Sequence, residues 1–269
     1  MTDDAVTANP WLRLRSFTDA RIGLGRAGIS IPTQPLLQFQ LAHAKARDAV
    51  HTPLNVDSLL PLLQSLQPGR QVLQLHSQAS DRALYLQRPD YGRLLDESSA
   101  DRLNDSRVTK KPELAIVIAD GLSALAIEEN VVPFLRRLLP LLTDGDDPWQ
   151  LAPLCVVEQG RVAVGDHVGE LLQADCVLML IGERPGLSSP DSTGLYLTWK
   201  PRRGLTDASR NCISNIRPAG LSYSDACRRT LYLLNEARRL KLSGVQLKDR
   251  SDDHSTAVAA EQRNFLVSD

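Results

Sequence analysis

Residues 114–119, 154–157 and 176–181 are three short apolar runs with no polar residue at alternate positions, and segments of helical period separate them. An unbroken apolar run of strand length is what a strand covered on both faces requires, and such strands belong to sheets flanked by helices. A helix is expected from about residue 123 to 142, reset near Pro133, and a short one around residues 168–172. A fourth strand at 195–199 and a last long helix from about Ser224 to Lys241 complete the alternation. The fold class predicted is α/β, with a C-terminal Rossmann-like, mostly parallel open sheet carrying helices on both faces and a mainly helical N-terminal region before it.

In an open sheet of this kind the carboxyl ends of the strands form the crevice that receives ligands. The third run ends in Gly182-Glu183-Arg184-Pro185-Gly186-Leu187. Glycines around an acid, an arginine and a proline predict a rigid loop that a ligand can approach closely. Asp120-Gly121-Leu122-Ser123 reads as a tight strand-to-helix turn with capping side chains. Arg210-Asn211-Cys212-Ile213-Ser214-Asn215-Ile216 has two readings of equal weight: a plain loop before the last helix, or a second wall of the crevice. Val162, beside Gly160 and Arg161, reads by itself as packing.

Residues 1–112 look helical but are interrupted at Pro32, Pro35, Pro53 and Pro68, with a short strand at 72–75 and a helix start at Pro89-Asp90. The polar run 101–112 is the expected boundary, giving an N-terminal region 1–112 and an α/β domain 113–248. Residues 249–269 are polar and patternless, and a disordered tail is expected there.

Several function classes are excluded at this stage. A formal net charge of −1 gives no electrostatic case for nucleic acid or an anionic membrane. No apolar stretch approaches the roughly 20 residues that span a bilayer, and the acidic start Met1-Thr2-Asp3-Asp4 is no secretory signal, so the cytoplasm is expected. Cys155, Cys176, Cys212 and Cys227 lie far apart, and the 5 histidines are scattered, so neither a disulfide framework nor a metal site is expected. Gly23-Leu24-Gly25-Arg26-Ala27-Gly28 spells a dinucleotide fingerprint, but no apolar strand precedes it, and Pro32 and Pro35 argue against a regular helix after it. It reads as a glycine-rich connecting loop. No nucleophile elbow, triad or ligand cluster appears, so no catalytic residue is assigned to this chain.

Six words in order carry a resemblance. They are Ala20-Arg21-Ile22 with Gly25-Arg26-Ala27-Gly28; Tyr85-Leu86-Gln87-Arg88-Pro89-Asp90-Tyr91-Gly92-Arg93; Ala119-Asp120-Gly121-Leu122-Ser123; Gly160-Arg161-Val162; Gly182-Glu183-Arg184-Pro185-Gly186-Leu187; and Cys212-Ile213-Ser214-Asn215-Ile216. Across roughly residues 10–245 the chain resembles the small (light) subunits of ethanolamine ammonia-lyase. The resemblance implies a subunit of an adenosylcobalamin-dependent carbon–nitrogen lyase that turns ethanolamine into acetaldehyde and ammonia. It implies a hetro-oligomer in which a large subunit, a TIM barrel, supplies the substrate site and catalytic residues. The small subunit, with its N-terminal region against the large one, covers the corrin. The positions matching the family's corrin contacts are Val162, Glu183 and Cys212.

Asp166-His167-Val168-Gly169 is similar to the D-x-H-x-x-G signature that offers a histidine to cobalt, but the spacing fails, and no cobalt ligand is expected here. Some members carry a longer N-terminal extension that directs the enzyme into a bacterial microcompartment. This chain reaches the shared Ala20-Arg21-Ile22 word early, so that extension is expected to be absent or reduced. The alternative from another class is a non-catalytic α/β scaffold or binding module for a partner enzyme.

Overall fold

The computed structural model describes residues 6–106, 111–144 and 147–251. Most of the tail expected at 249–269, and residues 107–110 of the expected boundary, lie outside the described residues. Six strands, β1 (Val72–His76), β2 (Leu114–Ala119), β3 (Leu154–Glu158), β4 (Cys176–Gly182), β5 (Thr193–Trp199) and β6 (Arg210–Ile216), form one sheet in the order β1-β3-β2-β4-β5-β6. The first four in that order are parallel, and β5 and β6 run antiparallel to their neighbours. The chain is therefore α/β with a mostly parallel sheet, as its apolar runs predict. Because β1 pairs with β3, the stretch ahead of residue 112 supplies one edge of the sheet.

Every residue of β2 and β4 is buried, which is why their sequences are unbroken apolar runs. One face is covered by α2 (Val56–Leu66), α5 (Ala124–Thr143) and α7 (Tyr223–Leu240), through residues such as Leu63, Ile127, Leu135 and Leu234. The other face carries α4 (Glu97–Asp105) and α6 (Val164–Leu171), packed through Leu103, Val164 and Val168. From β2 the chain steps to β3 on one side, then returns across to β4 on the other. That reversal opens the sheet at the carboxyl ends of β2, β3 and β4.

Four local expectations need correction. The helix near residue 85 is α3 (Arg82–Gln87), capped by Asp81 accepting from the Leu84 N–H; it stops before Pro89, and only a single turn, Tyr91–Arg93, follows. Pro89 cannot donate a helical bond, so it ends that helix rather than starting one. α1 (Thr33–His51) does begin at the Pro32–Pro35 cluster, because in a first turn the missing proline N–H has no partner to lose. α5 runs through Pro133 and Pro140 without a reset, its buried face of Ile127, Val131, Leu135, Leu138 and Leu142 holding it together. Each buried leucine or isoleucine contributes about 1.5–3 kcal/mol, enough in sum to offset about 3 kcal/mol per interior proline. Finally, residues 210–216 are an edge strand rather than a loop.

Gly23, Gly25 and Gly28 all have positive φ and sit in a loop tied by isolated bridges, Thr7 to Arg26 and Ala27 to Ser30. No strand precedes them among the described residues, so the connecting-loop reading stands. Among the described residues no helix is long and apolar enough to cross a membrane, and no group of three or more His, Cys, Asp or Glu side chains is placed to hold a metal ion. All four cysteines are free thiols, and burial pushes Cys155 up to about 12.

Candidate functional site

Two glycines set the floor of the crevice. Gly121, at φ 57°, follows β2, and Gly182 ends β4. A Cβ on Gly121 would meet the Gly182 carbonyl oxygen at 2.2 Å, and one on Gly182 would meet the Ser123 carbonyl oxygen at 2.0 Å. The Leu122 N–H donates to that Gly182 oxygen at 3.0 Å, locking the two loops together. Ser123 then caps α5 by accepting from the Ala126 N–H.

Asp120 is the buried hub beneath. Its Oδ1 accepts from the Gly160 N–H at 3.1 Å, and its Oδ2 faces Arg82 Nη1 at 3.4 Å. The same guanidinium donates to the carbonyls of Val50 at 2.6 Å and Gly121 at 2.8 Å and to the Gln159 side chain at 3.2 Å. Burial pushes the Asp120 carboxyl up to about 6, and the Arg82 charge and backbone N–H groups oppose that rise. A single carboxylate thus joins the end of β2 to the turn after β3.

That turn carries Gly160, Arg161 and Val162. A Cβ on Gly160 would meet the Ala119 side chain at 2.8 Å, so only glycine fits. The Arg161 N–H donates to the Gly92 carbonyl at 2.7 Å, and a Cβ on Gly92 would strike the Arg161 stem at 2.8 Å. The Arg161 guanidinium lies 4.2 Å from the centre of the fully buried Tyr85 ring, Arg82 lies 4.7 Å from it, and the Tyr85 hydroxyl donates to the Gly160 carbonyl at 3.2 Å. Burial pushes the Tyr85 phenol up, so it stays neutral and donates.

The loop between β4 and β5 forms the facing wall. Glu183 Oε2 accepts from the Ser192 hydroxyl and from the Asn215 backbone N–H, the latter at 3.3 Å. Its carboxylate lies over Gly194, where a Cβ would come within 2.9 Å of Oε1. Ser123 donates to the Pro190 carbonyl at 2.7 Å and Asn130 to that of Asp191 at 2.7 Å, which fix the far end of the loop. Arg21 reaches in from the N-terminal stretch, donating to Ser188 Oγ and to the Leu187 carbonyl, each at 3.2 Å.

An opening of about 350 Å³ lies among these walls, lined by Tyr85, Leu122, Arg161, Val162, Glu183 and Tyr196 in particular. Val162 and Glu183 thus face one cavity. Cys212 is exposed on β6, directly across the sheet register from Tyr196, which borders that cavity. Val162 and Glu183 fall at the carboxyl end of the sheet, whereas Cys212 lies mid-strand on β6, in register with Tyr196 and through it with Met179 of β4, and none of residues 210–216 borders the cavity. Asp166 and His167 lie elsewhere, within α6: Asp166 pairs with Arg210 at 2.6 Å, and His167 Nδ1 accepts from the Leu95 N–H at 3.0 Å.

Sequence reasoning gave Asp120 only a place in a capped turn and gave no role to Arg161 or Tyr85. Each sits within a quoted word, but the partners that position them are about 40 to 80 residues away, as in the bonds from Asp120 to Gly160 and from Arg161 to the Tyr85 carbonyl. No local pattern encodes such pairing.

Residues 8–248 match the family described as ethanolamine ammonia-lyase light chain. The chain is 56% identical over 268 residues to the ethanolamine ammonia-lyase small subunit of Pseudomonas paraeruginosa, covering 98% of this chain and 96% of that one. It is 56% identical over 263 residues to the small subunit of Xanthomonas campestris pathovar campestris, covering 96% and 95% of the two chains. Against the small subunit of Pseudomonas syringae pathovar tomato it is 52% identical over 274 residues, 98% and 94% of the two chains. With an α/β sheet, and relatives matched along nearly their whole length, the chain belongs to the ethanolamine ammonia-lyase small-subunit (light-chain) family.

Proposed function

We propose that this chain is the cofactor-covering subunit of an adenosylcobalamin-dependent lyase that converts ethanolamine to acetaldehyde and ammonia. Val162, Glu183 and Cys212 are the residues set against the corrin, and the substrate site and catalytic groups belong to a large, TIM-barrel subunit. The observation that carries the reading is the state of Glu183. Ser192 and Asn215 both bond to Oε2, and no hydrogen bond reaches Oε1 among the described residues, so a carboxylate that borders the cavity keeps one oxygen free to accept.

The residues present fit such a ligand. A corrin rim carries neutral amide arms, and a carboxylate accepts from an amide N–H in a charge-assisted bond stronger than a neutral one. Val162 and Cys212 offer small contacts on either side, suited to a wide apolar macrocycle edge. When bound, adenosylcobalamin supplies radical chemistry through homolysis of its cobalt–carbon bond. This chain orients the rim through Glu183, presents a rigid wall built on Gly121, Gly160 and Gly182, and shuts water out from one side.

The face toward the large subunit is the N-terminal stretch. Trp11, Leu12, Phe17, Ile29, Ile31, Leu37 and Leu41 are all exposed there, a density of apolar surface that marks a protein contact. The test is reconstitution of the two polypeptides followed by an ethanolamine deamination assay. Activity that requires both chains and added adenosylcobalamin supports the reading. Full activity from the large chain alone would end it.

A further inference from the structure

We infer that Arg161 is a second cofactor contact, the donor half of a pair whose acceptor half is Glu183, and that the group this pair binds is a primary carboxamide. The inference rests on the cofactor-covering reading above and deepens it. A guanidinium carries five N–H donors and demands acceptors for those it buries. Arg161 spends one, from Nη2 to the Tyr85 carbonyl at 3.2 Å. Its Nη1 makes no hydrogen bond and no carboxylate pairs with it among the described residues, while its Nε is enclosed by protein, likewise without a partner. The buried Arg210 also leaves its Nε without a hydrogen bond, but its Nη2 is matched by a carboxylate, Asp166.

Arg161 borders the cavity, so the acceptor that Nη1 lacks is left to a ligand there, the enclosed Nε being out of its reach. Arg161 and Glu183 border the same cavity of about 350 Å³ without bonding to each other. One wall therefore offers an unspent donor and the other an unspent acceptor, Oε1. An anionic ligand group would be repelled by Glu183, and a cationic one by Arg161. A primary amide satisfies both, its carbonyl accepting from Arg161 and its NH₂ donating to Glu183.

Arg161 is also held ready. Its stem lies against Gly92, its plane rests by the Tyr85 ring, and Arg82 and Asp120 fix that ring and the turn from below. A side chain ordered in advance loses little entropy when the ligand arrives. The Tyr85-to-Arg93 and Gly160-to-Val162 segments meet for this reason: one seats the arginine that the other supplies.

The test uses the two-chain complex, titrated with cyanocobalamin and with the set of cobalamin monocarboxylates, each having one rim amide hydrolysed to an acid. Loss of a charged hydrogen bond corresponds to at least about tenfold in affinity. Arg161→Gln is expected to bind cyanocobalamin at least about tenfold more weakly, with assembly and thermal unfolding close to those of the unmodified complex. One monocarboxylate is expected to bind the unmodified complex at least about tenfold more weakly than cyanocobalamin does, and Glu183→Gln to restore it. Arg161→Lys keeps the charge but not the planar donor fork, so it reads the same contact where Arg161→Gln does not assemble: cyanocobalamin binding at least about tenfold weaker is expected, and binding equal to that of the unmodified complex overturns the inference. Cyanocobalamin binding by Arg161→Gln equal to that of the unmodified complex, or no monocarboxylate rescued by Glu183→Gln, overturns the inference alone. An unmodified complex that binds no corrin at all would instead overturn the cofactor-covering reading.

Discussion

Gly121 and Gly182 cross at the end of the sheet so tightly that a Cβ on the first would lie 2.2 Å from the carbonyl oxygen of the second. The crossing joins the loops after β2 and β4, and the Glu183 wall continues directly from it. Gly121 also adopts φ 57°, a region that costs an L-residue about 1–2 kcal/mol.

Gly121→Ala is therefore expected to destabilise the protein by at least about 2 kcal/mol, the clash adding to the dihedral cost. Denaturant unfolding of the purified protein measures it. A change below about 0.5 kcal/mol would mean the loops part easily, and the crevice floor would not be rigid.

Asp120 gives a pH signature. Its folded-state value of about 6 lies above the ordinary 3.8, so between these values the native state holds more proton than the unfolded chain. Its contribution to stability is present at low pH and is lost as pH rises through about 4 to 6. The stability of the unmodified protein minus that of Asp120→Asn should fall by a figure on the order of 2 kcal/mol between pH 4.5 and 7. A difference independent of pH would contradict the raised value.

Asp166 and Arg210 tie α6 to the start of β6 through a pair in which both side chains are 2% exposed. Removing one partner leaves the other charge buried and unmatched. Asp166→Asn and Arg210→Met are each expected to cost about 3–5 kcal/mol. The double variant should recover part of that loss, which a double-mutant cycle reads directly. Additive losses would show that the two charges do not depend on each other.

Glu183→Ala should weaken cobalamin binding by at least about tenfold while leaving the KM for ethanolamine nearly unchanged. Spectroscopic titration and steady-state kinetics on the two-chain enzyme separate the two. Cobalamin affinity equal to that of the unmodified enzyme would remove Glu183 from the cofactor wall.

The strands of the sheet centre were legible because β2, β3 and β4 are covered on both faces, and such burial leaves an apolar run that needs no context to recognise. The edge strand β6 was not, because only Arg210, Ile213 and Ile216 of its residues are buried and Asn215, at φ 60°, breaks the alternation. The antiparallel turn of β5 was hidden for a different reason: nothing in the residues 193–199 distinguishes strand direction. It is fixed by the short connection 183–192, too brief for a parallel crossover. Helix boundaries at proline misled in both directions, since position within the first turn decides whether the missing N–H matters. In the site, the Glu183 loop showed itself through its composition. Arg161 and Tyr85 gained meaning only when the fold stacked them.

The most direct measurement of the cofactor-covering reading is a cryo-EM map of the reconstituted two-chain enzyme with cobalamin bound. The corrin edge is expected within van der Waals or hydrogen-bond contact of Val162, Glu183 and Cys212, at the carboxyl ends of β3 and β4 and on β6. A macrocycle bound wholly within the large subunit, or separated from all three side chains by other protein, would contradict it.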